Sequence, residues 1–267
     1  MATRVLHLSD LHLGSRGSGG DRPGLAELIA RKRPELIVVS GDLSHRGRRG
    51  QLEQAASFLR SLGPPLLAVP GNHDLPYTLP GRFSHPWREF ERQWGSTEPI
   101  YRSESLIAVG LNSARPWRHQ SGQARSSSLR RAATLLAETP ADVFRLVILH
   151  HHLANAPWRS RKRPLWARGR VLAALAEAGA DLICSGHIHQ GAVWERHEFQ
   201  VDAGERSLII STAPGLGRPR PRRRGEAQGF QLYSYEAGAI SIETYVWRSG
   251  ELALSGERRF MREPPRR

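Results

Sequence analysis

At 267 residues the chain is long enough for one large α/β domain with a substantial core. A single cysteine, Cys184, excludes an intramolecular disulfide and a thiolate-rich metal cluster, so any metal must rest on oxygen and nitrogen. The net charge of +14 lies mostly on arginine, in clusters at 45–50, 159–164, 217–226 and 262–267, and such a surface attracts anions, whether phosphorylated metabolites or nucleic acid.

The N-terminal stretch lacks the charged and apolar regions of a secretory signal, and no apolar run approaches the roughly 20 residues of a membrane span. A cytoplasmic protein without a membrane span is the expectation. Along the chain, short apolar runs rich in β-branched residues alternate with helical patterns, which predicts α/β architecture. Strands are predicted at "RVLHLS", "ELIVVS", "LLAVP", "LIAVGL", "FRLVILH" and "DLICSG", and helices over 24–33, 50–62, 85–94, 126–138 and 168–178. After Gly186 the pattern changes. "AVWERHEFQVDA", "RSLIIST", "GFQLYSYEA" and "AISIETYVW" read as consecutive strands with tight turns at "DAGE" and "EAGA". The Pro/Arg run at 217–224 reads as an exposed loop, and 257–267 as a basic, flexible tail following a domain over 1–256.

Polar residues interrupt this pattern at one kind of place, the C-terminal end of a predicted strand, which is where ligands bind in open α/β sheets. "SDLHLG" offers Asp10 and His12, two residues apart and therefore expected on one side of an extended chain. "SGDLSH" offers Asp42, "PGNHDLP" offers Asn72, His73 and Asp74, "ILHHHLA" offers His150, His151 and His152, and "SGHIHQG" offers His187 and His189. Each fragment alone is explained by an ordinary turn or cap. Their joint occurrence, in order and each at a strand end, is not.

The order D-x-H, G-D, G-N-H-D, H, G-H-x-H, from Asp10 to His189, resembles the calcineurin-like metallophosphoesterase superfamily. Within it, "GHIHQ" and the histidine triplet most resemble bacterial class III cyclic-nucleotide phosphodiesterases. The resemblance implies a four-layer α/β/β/α sandwich of two mixed sheets with outer helices, the stretch from 192 onward supplying much of the second sheet. It also implies two divalent transition-metal ions: Asp10, His12 and His189 complete one shell, Asn72, His150 and His187 the other, and Asp42 bridges. Of the triplet, His150, the first residue past the strand, is the ligand and His151 the alternative. His73 is implied as the donor to the leaving oxygen, with Asp74 orienting its imidazole.

The chemistry agrees. Two dications about 4 Å apart need an anion between them, and a mixed oxygen and nitrogen set suits Mn, Fe, Zn or Ni better than Ca or Mg. Two dications less two carboxylates leave about +2, which draws in an anionic phosphoester. Downstream of the triplet, "NAPWRSRKRPLW" places Trp158 and Trp166 in a basic loop near the site, where an indole could stack on a base or, alternatively, anchor the loop to the core. The expected activity is hydrolysis of a small phosphodiester, a 3',5'-cyclic nucleotide first. Alternatives are a DNA nuclease of the Mre11/SbcD type, a UDP-diacylglucosamine pyrophosphohydrolase and a non-catalytic scaffold resembling Vps29.

Overall fold

The computed structural model describes residues 2–15, 22–118, 120–195, 208–217 and 225–262. In chain order the elements are β1 (Thr3–Leu8), α1 (Leu25–Lys32), β2 (Leu36–Val39), α2 (Arg49–Ser61), β3 (Leu66–Ala68), a 3-10 turn (Asn72–Asp74), α3 (Gly81–Ser84), α4 (Arg88–Trp94), β4 (Ile100–Arg102), β5 (Leu106–Gly110), α5 (Ser126–Ala137), β6 (Phe144–Ile148), α6 (Arg168–Glu177), β7 (Leu182–Ser185), β8 (Ala192–Glu195), β9 (Ile209–Thr212), β10 (Gly229–Glu236), β11 (Ala239–Arg248) and β12 (Glu251–Met261).

The central strands are apolar at successive positions because both of their faces are covered. In β1, Val5 enters a core between the sheets, while Leu6 and Leu8 enter a second core under α1, α2 and α4. In β6, Phe144, Leu146 and Ile148 face the inter-sheet core and Val147 a third core under α5 and α6. Three cores separate four layers, α/β/β/α, as expected. The helices obey the same logic: α2 buries Leu52, Ala55, Ala56 and Leu59, the spacing of one helical face.

Both sheets have six strands and both are mixed, in the orders β12-β11-β10-β1-β2-β3 and β4-β5-β6-β7-β9-β8. β1, β2 and β3 are mutually parallel, as are β5, β6, β7 and β9. The strand-rich C-terminal third is divided: β8 and β9 close the edge of one sheet, and β10 to β12 form half of the other. It therefore does not build one sheet alone. The "EAGA" turn is present, with Ala237 and Gly238 both at positive φ between paired Glu236 and Ala239.

Two predicted features need correction, and one strand was not predicted. The boundary at 256 falls inside β12, whose residues to Met261 pair with β11 and whose Phe260 enters the inter-sheet core. Exposed charges hid this edge strand, since edge strands carry such residues to discourage further pairing. The helix expected at 85–94 begins at Arg88, after the separate short turn of α3. The strand at 100–102 carried too short an apolar signal to be foreseen. The "DAGE" turn, His119, His197, the Pro/Arg run beyond Gly217 and residues 263–267 lie outside the described residues.

Candidate metal centre

Loops leaving the C-terminal ends of β1, β2 and β3 in one sheet, and β6 and β7 in the other, converge on a single cluster. Asp10 and His12 do not arrive by strand alternation. Both stand past β1 in the left-handed backbone region, at φ 53° and 49°, and Asp42, His187 and His189 share that conformation. The carboxylates and triplet histidines are buried, as are Asn72, His187 and His189.

On one side of Asp42, the Nε2 atoms of His12 and His189 lie 3.1 Å apart. Asp10 Oδ1 is 3.0 Å from His189 Nε2 and 3.6 Å from His12 Nε2, and His12 Nε2 is 3.7 Å from Asp42 Oδ2. On the other side, His150 Nε2 lies 3.4 Å from Asp42 Oδ2, 3.2 Å from Asn72 Oδ1 and 3.1 Å from His187 Nδ1. Asp42 Oδ2 and Asp10 Oδ1 are fully buried and have no hydrogen-bond partner among the described residues. Inward-facing lone pairs of this kind are costly unless a cation meets them.

Surrounding groups fix which atoms face inward. His150 Nδ1 donates to the Ser40 carbonyl at 2.8 Å, leaving Nε2 for the cluster. His187 Nε2 donates to the Gln120 carbonyl at 3.1 Å, leaving Nδ1. Asp10 Oδ2 accepts from Ser9 Oγ at 2.7 Å and the His187 amide at 2.9 Å, while Asp42 Oδ1 accepts from the His73 amide at 2.8 Å. Such partners orient ligands and set tautomers. Gly186 is required here: a Cβ at that position would collide with Ser9 Oγ and Asp10 Oδ2.

Burial lowers His12 to about 4, against opposing pulls from the carboxylates. Burial, then repulsion from Lys162, holds His187 well below the ordinary imidazole value. Neutral imidazoles present lone pairs, as a cation requires. Burial opposes the charges on Asp10 and Asp42 too, but the neighbouring histidines outweigh it and keep both carboxyls well below their usual range. His150 alone is raised, because Asp42 overcomes its burial. Buried carboxylates and lone-pair-bearing imidazoles facing one point are donors to a cation. The donor set therefore fits divalent cations, and the mixture of carboxylate, amide and imidazole suits transition metals.

His151, the alternative, is a candidate ligand beside His150: its Nδ1 is paired with Ser113 Oγ at 2.8 Å, its buried Nε2 has no hydrogen-bond partner among the described residues, and with His150 and His187, whose ring is 4.6 Å away, it forms a group able to hold a cation. Asp74 corrects one expectation. The imidazole of His73 is held by the His45 carbonyl, which accepts from Nδ1 at 2.8 Å, and not by Asp74. Asp74 instead accepts from the amides of Gly71, Leu43 and Ser44 and from Ser44 Oγ, tying two of the loops together. Burial and the nearby Asp42 raise it to about 6 despite these donors.

Ser9, Ser40 and Gln120 had no signal in the sequence, because two act through a backbone carbonyl that every residue possesses. Trp158 and Trp166 are 60% and 56% exposed, so neither anchors its loop in the core.

This arrangement and fold define a class, and the chain belongs to it: the Calcineurin-like phosphoesterase family model matches residues 3–191. The chain is 29% identical over 123 residues to a probable cyclic nucleotide phosphodiesterase of Synechococcus sp., covering 46% of this chain and 44% of that one. It is 28% identical over 187 residues to a probable cyclic nucleotide phosphodiesterase of Rhodopseudomonas palustris, covering 66% of each. The matched stretches thus span less than half of the first relative and about two thirds of the second. In fold it is similar to a purple acid phosphatase from Lupinus luteus, with a TM-score of 0.73 at 13% identity, covering 98% of this chain and 54% of that one. No helix among the described residues is long and apolar enough to cross a membrane.

Proposed function

We propose that this chain is a dimetal phosphodiesterase that hydrolyses a small phosphodiester, a 3',5'-cyclic nucleotide first among them. The observation that carries the reading is Asp42 Oδ2, a fully buried carboxylate oxygen with no hydrogen-bond donor among the described residues, 3.7 Å from His12 Nε2 on one side and 3.4 Å from His150 Nε2 on the other. That is the position of an anion shared between two cation sites. Asp10, His12 and His189 hold one ion; Asn72, His150 and His187 hold the other. When bound, a pair of Mn, Fe, Zn or Ni ions supplies Lewis acidity toward the phosphoryl oxygens and makes water nucleophilic near neutral pH.

The chain's own groups do the remaining work. His73 is fixed through Nδ1–H to the His45 carbonyl; its Nε2, when the ring also carries a proton there, gives that proton to the departing oxygen and leaves the neutral Nδ1–H ring. Asp74 holds the loops that carry Asp42 and His73 in mutual register. The names of the two curated relatives support a cyclic nucleotide as substrate. The test is hydrolysis by metal-stripped protein resupplied with Mn, with bis(p-nitrophenyl) phosphate, cyclic AMP, glycerophosphoethanolamine and linear DNA compared, beside an Asp42→Asn control. Turnover that returns with Mn and is absent from the control is expected. A protein that holds two metals and cleaves none of these diesters overturns the proposal, and DNA cleavage far above cyclic AMP cleavage replaces the substrate with nucleic acid.

A further inference from the structure

A cavity of about 400 Å³ opens beside the metal cluster, under the loop that leaves His152. The base of this loop is closed where the Leu165 amide donates to the His152 carbonyl at 2.9 Å. The inner wall is His152, whose ring stacks on that of His187 with centroids 5.7 Å apart. Trp158 and Lys162 are also among its lining residues.

Trp158 is a built feature and not a stray surface aromatic. Its amide donates to Gln190 Oε1 at 3.0 Å, and Gln190 is buried directly after His189. The indole lies against the bare backbone of Gly225: a Cβ there would stand 2.5 Å from Trp158 Cδ1 and 2.7 Å from Cγ, and Gly225 is at φ +82°. Backed on one side in this way, the residue still leaves 60% of its surface open. A half-exposed aromatic backed by chain and lining a cavity of this size is what stacking of a flat ring needs, and pockets of roughly 300–1,000 Å³ hold small molecules.

The opposite end carries the complementary charge. Lys162 Nζ reaches to 3.5 Å from His189 Nε2, so an anion at the metal cluster also meets this ammonium. An occupant spanning both ends has a phosphate at one and a planar aromatic group at the other.

We propose that this cavity is the nucleoside subsite, in which a nucleobase stacks on the Trp158 indole while Lys162 and the metal cluster hold the phosphate. The inference rests on the phosphodiesterase reading and narrows its substrates to nucleotides, against diesters whose alcohols are aliphatic. Trp158 is the specificity determinant and Gly225 its positioning residue.

The test is calorimetric binding of adenosine 5'-monophosphate and of inorganic phosphate to the metal-loaded protein and its Trp158→Ala, Trp158→Phe and Gly225→Ala variants, each checked for an unchanged melting temperature. Loss of stacking predicts about tenfold or greater weakening of the nucleotide in Trp158→Ala. Trp158→Phe should recover most of it, Gly225→Ala should weaken it by displacing the indole, and phosphate should be affected less than the nucleotide. Nucleotide affinity within twofold of wild type in a well-folded Trp158→Ala protein overturns the subsite. Turnover separates this from the wider reading. Trp158-dependent nucleotide binding in a protein that cleaves no phosphoester upholds the subsite and removes the phosphodiesterase. Cleavage of cyclic AMP whose preference over glycerophosphoethanolamine does not move in Trp158→Ala upholds the phosphodiesterase and removes the subsite.

Discussion

Asp10, His12, Asp42, His187 and His189 all hold φ between 49° and 73°, a conformation that costs a residue with a side chain about 1 kcal/mol or more. Neighbouring bonds over-determine each one: the Asp10 amide donates to the Gly41 carbonyl at 3.0 Å and the His12 amide to the Asp42 carbonyl at 2.9 Å. The turned backbone aims side chains from different loops at one point, so the strain belongs to the site. His73 stands outside this group, with its ring edge-on to that of His12 and centroids 4.8 Å apart. Replacing it with alanine should lower turnover by roughly 10²- to 10⁴-fold while both metals remain bound. Metal content by elemental analysis, paired with turnover per metal-loaded site, checks this, and lost metals with unchanged turnover per site would remove His73 from the chemistry. The two-residue spacing of Asp10 and His12 predicts strand alternation, which their turned backbone does not follow, but the candidate ligands themselves were legible from residue type and from the order of motifs that carries the family resemblance. The role of Asp74 was not: its four donors come from Gly71, Leu43 and Ser44, and three of them are backbone amides that no side-chain pattern announces.

At the scale of elements, the parallel strands were legible because burial on both faces demands an unbroken apolar run, as in "LIVV" of β2. The helices of twelve or thirteen residues, α5 and α2, were legible from their buried stripes. β12 was not, because most of its side chains face solvent and its contribution is made by a few residues. Phe260 enters the inter-sheet core, and Arg262, immediately past the strand, binds across both sheets. Its guanidinium donates to Asp181 Oδ1 at 2.7 Å and the Val143 carbonyl at 3.0 Å, at the base of β7 and β6, and to Tyr235 Oη at 2.9 Å on β10. Removing it leaves the buried Asp181 carboxylate short of its counter-ion. Arg262→Ala should therefore cost roughly 2–4 kcal/mol in denaturant unfolding, against less than about 0.5 kcal/mol for the exposed neighbour Arg259→Ala. Equal, small effects at both positions would return the C-terminal stretch to the status of a tail.

Across the whole molecule, the candidate ligands are divided between the layers: Asp10, His12, Asp42 and Asn72 come from loops of one sheet, and His150, His187 and His189 from loops of the other. A metal pair held by both sets is a clamp across the inter-sheet core. Protein bonds already cross the same seam, from His150 Nδ1 to the Ser40 carbonyl and from the His187 amide to Asp10 Oδ2, so the loops are held together around the cluster. Without cations, Asp10 Oδ1 and Asp42 Oδ2 are buried acceptors with no donor among the described residues, and no clamp joins the two sets. Metal present at about a thousand times its dissociation constant contributes roughly 4 kcal/mol to folding, so chelation should lower the melting temperature on the order of 10 °C. Asp42→Asn, which weakens both sites at once, should start nearer the chelated value and move less when chelator is added. Arg262→Ala, acting at the opposite end of the strands, should start lower yet show the full chelation shift, since distant sites add. Equal melting temperatures for metal-loaded and metal-stripped wild-type protein, with loading verified, would show that the two sheets are held by their core alone and that the cations contribute chemistry without contributing to the fold.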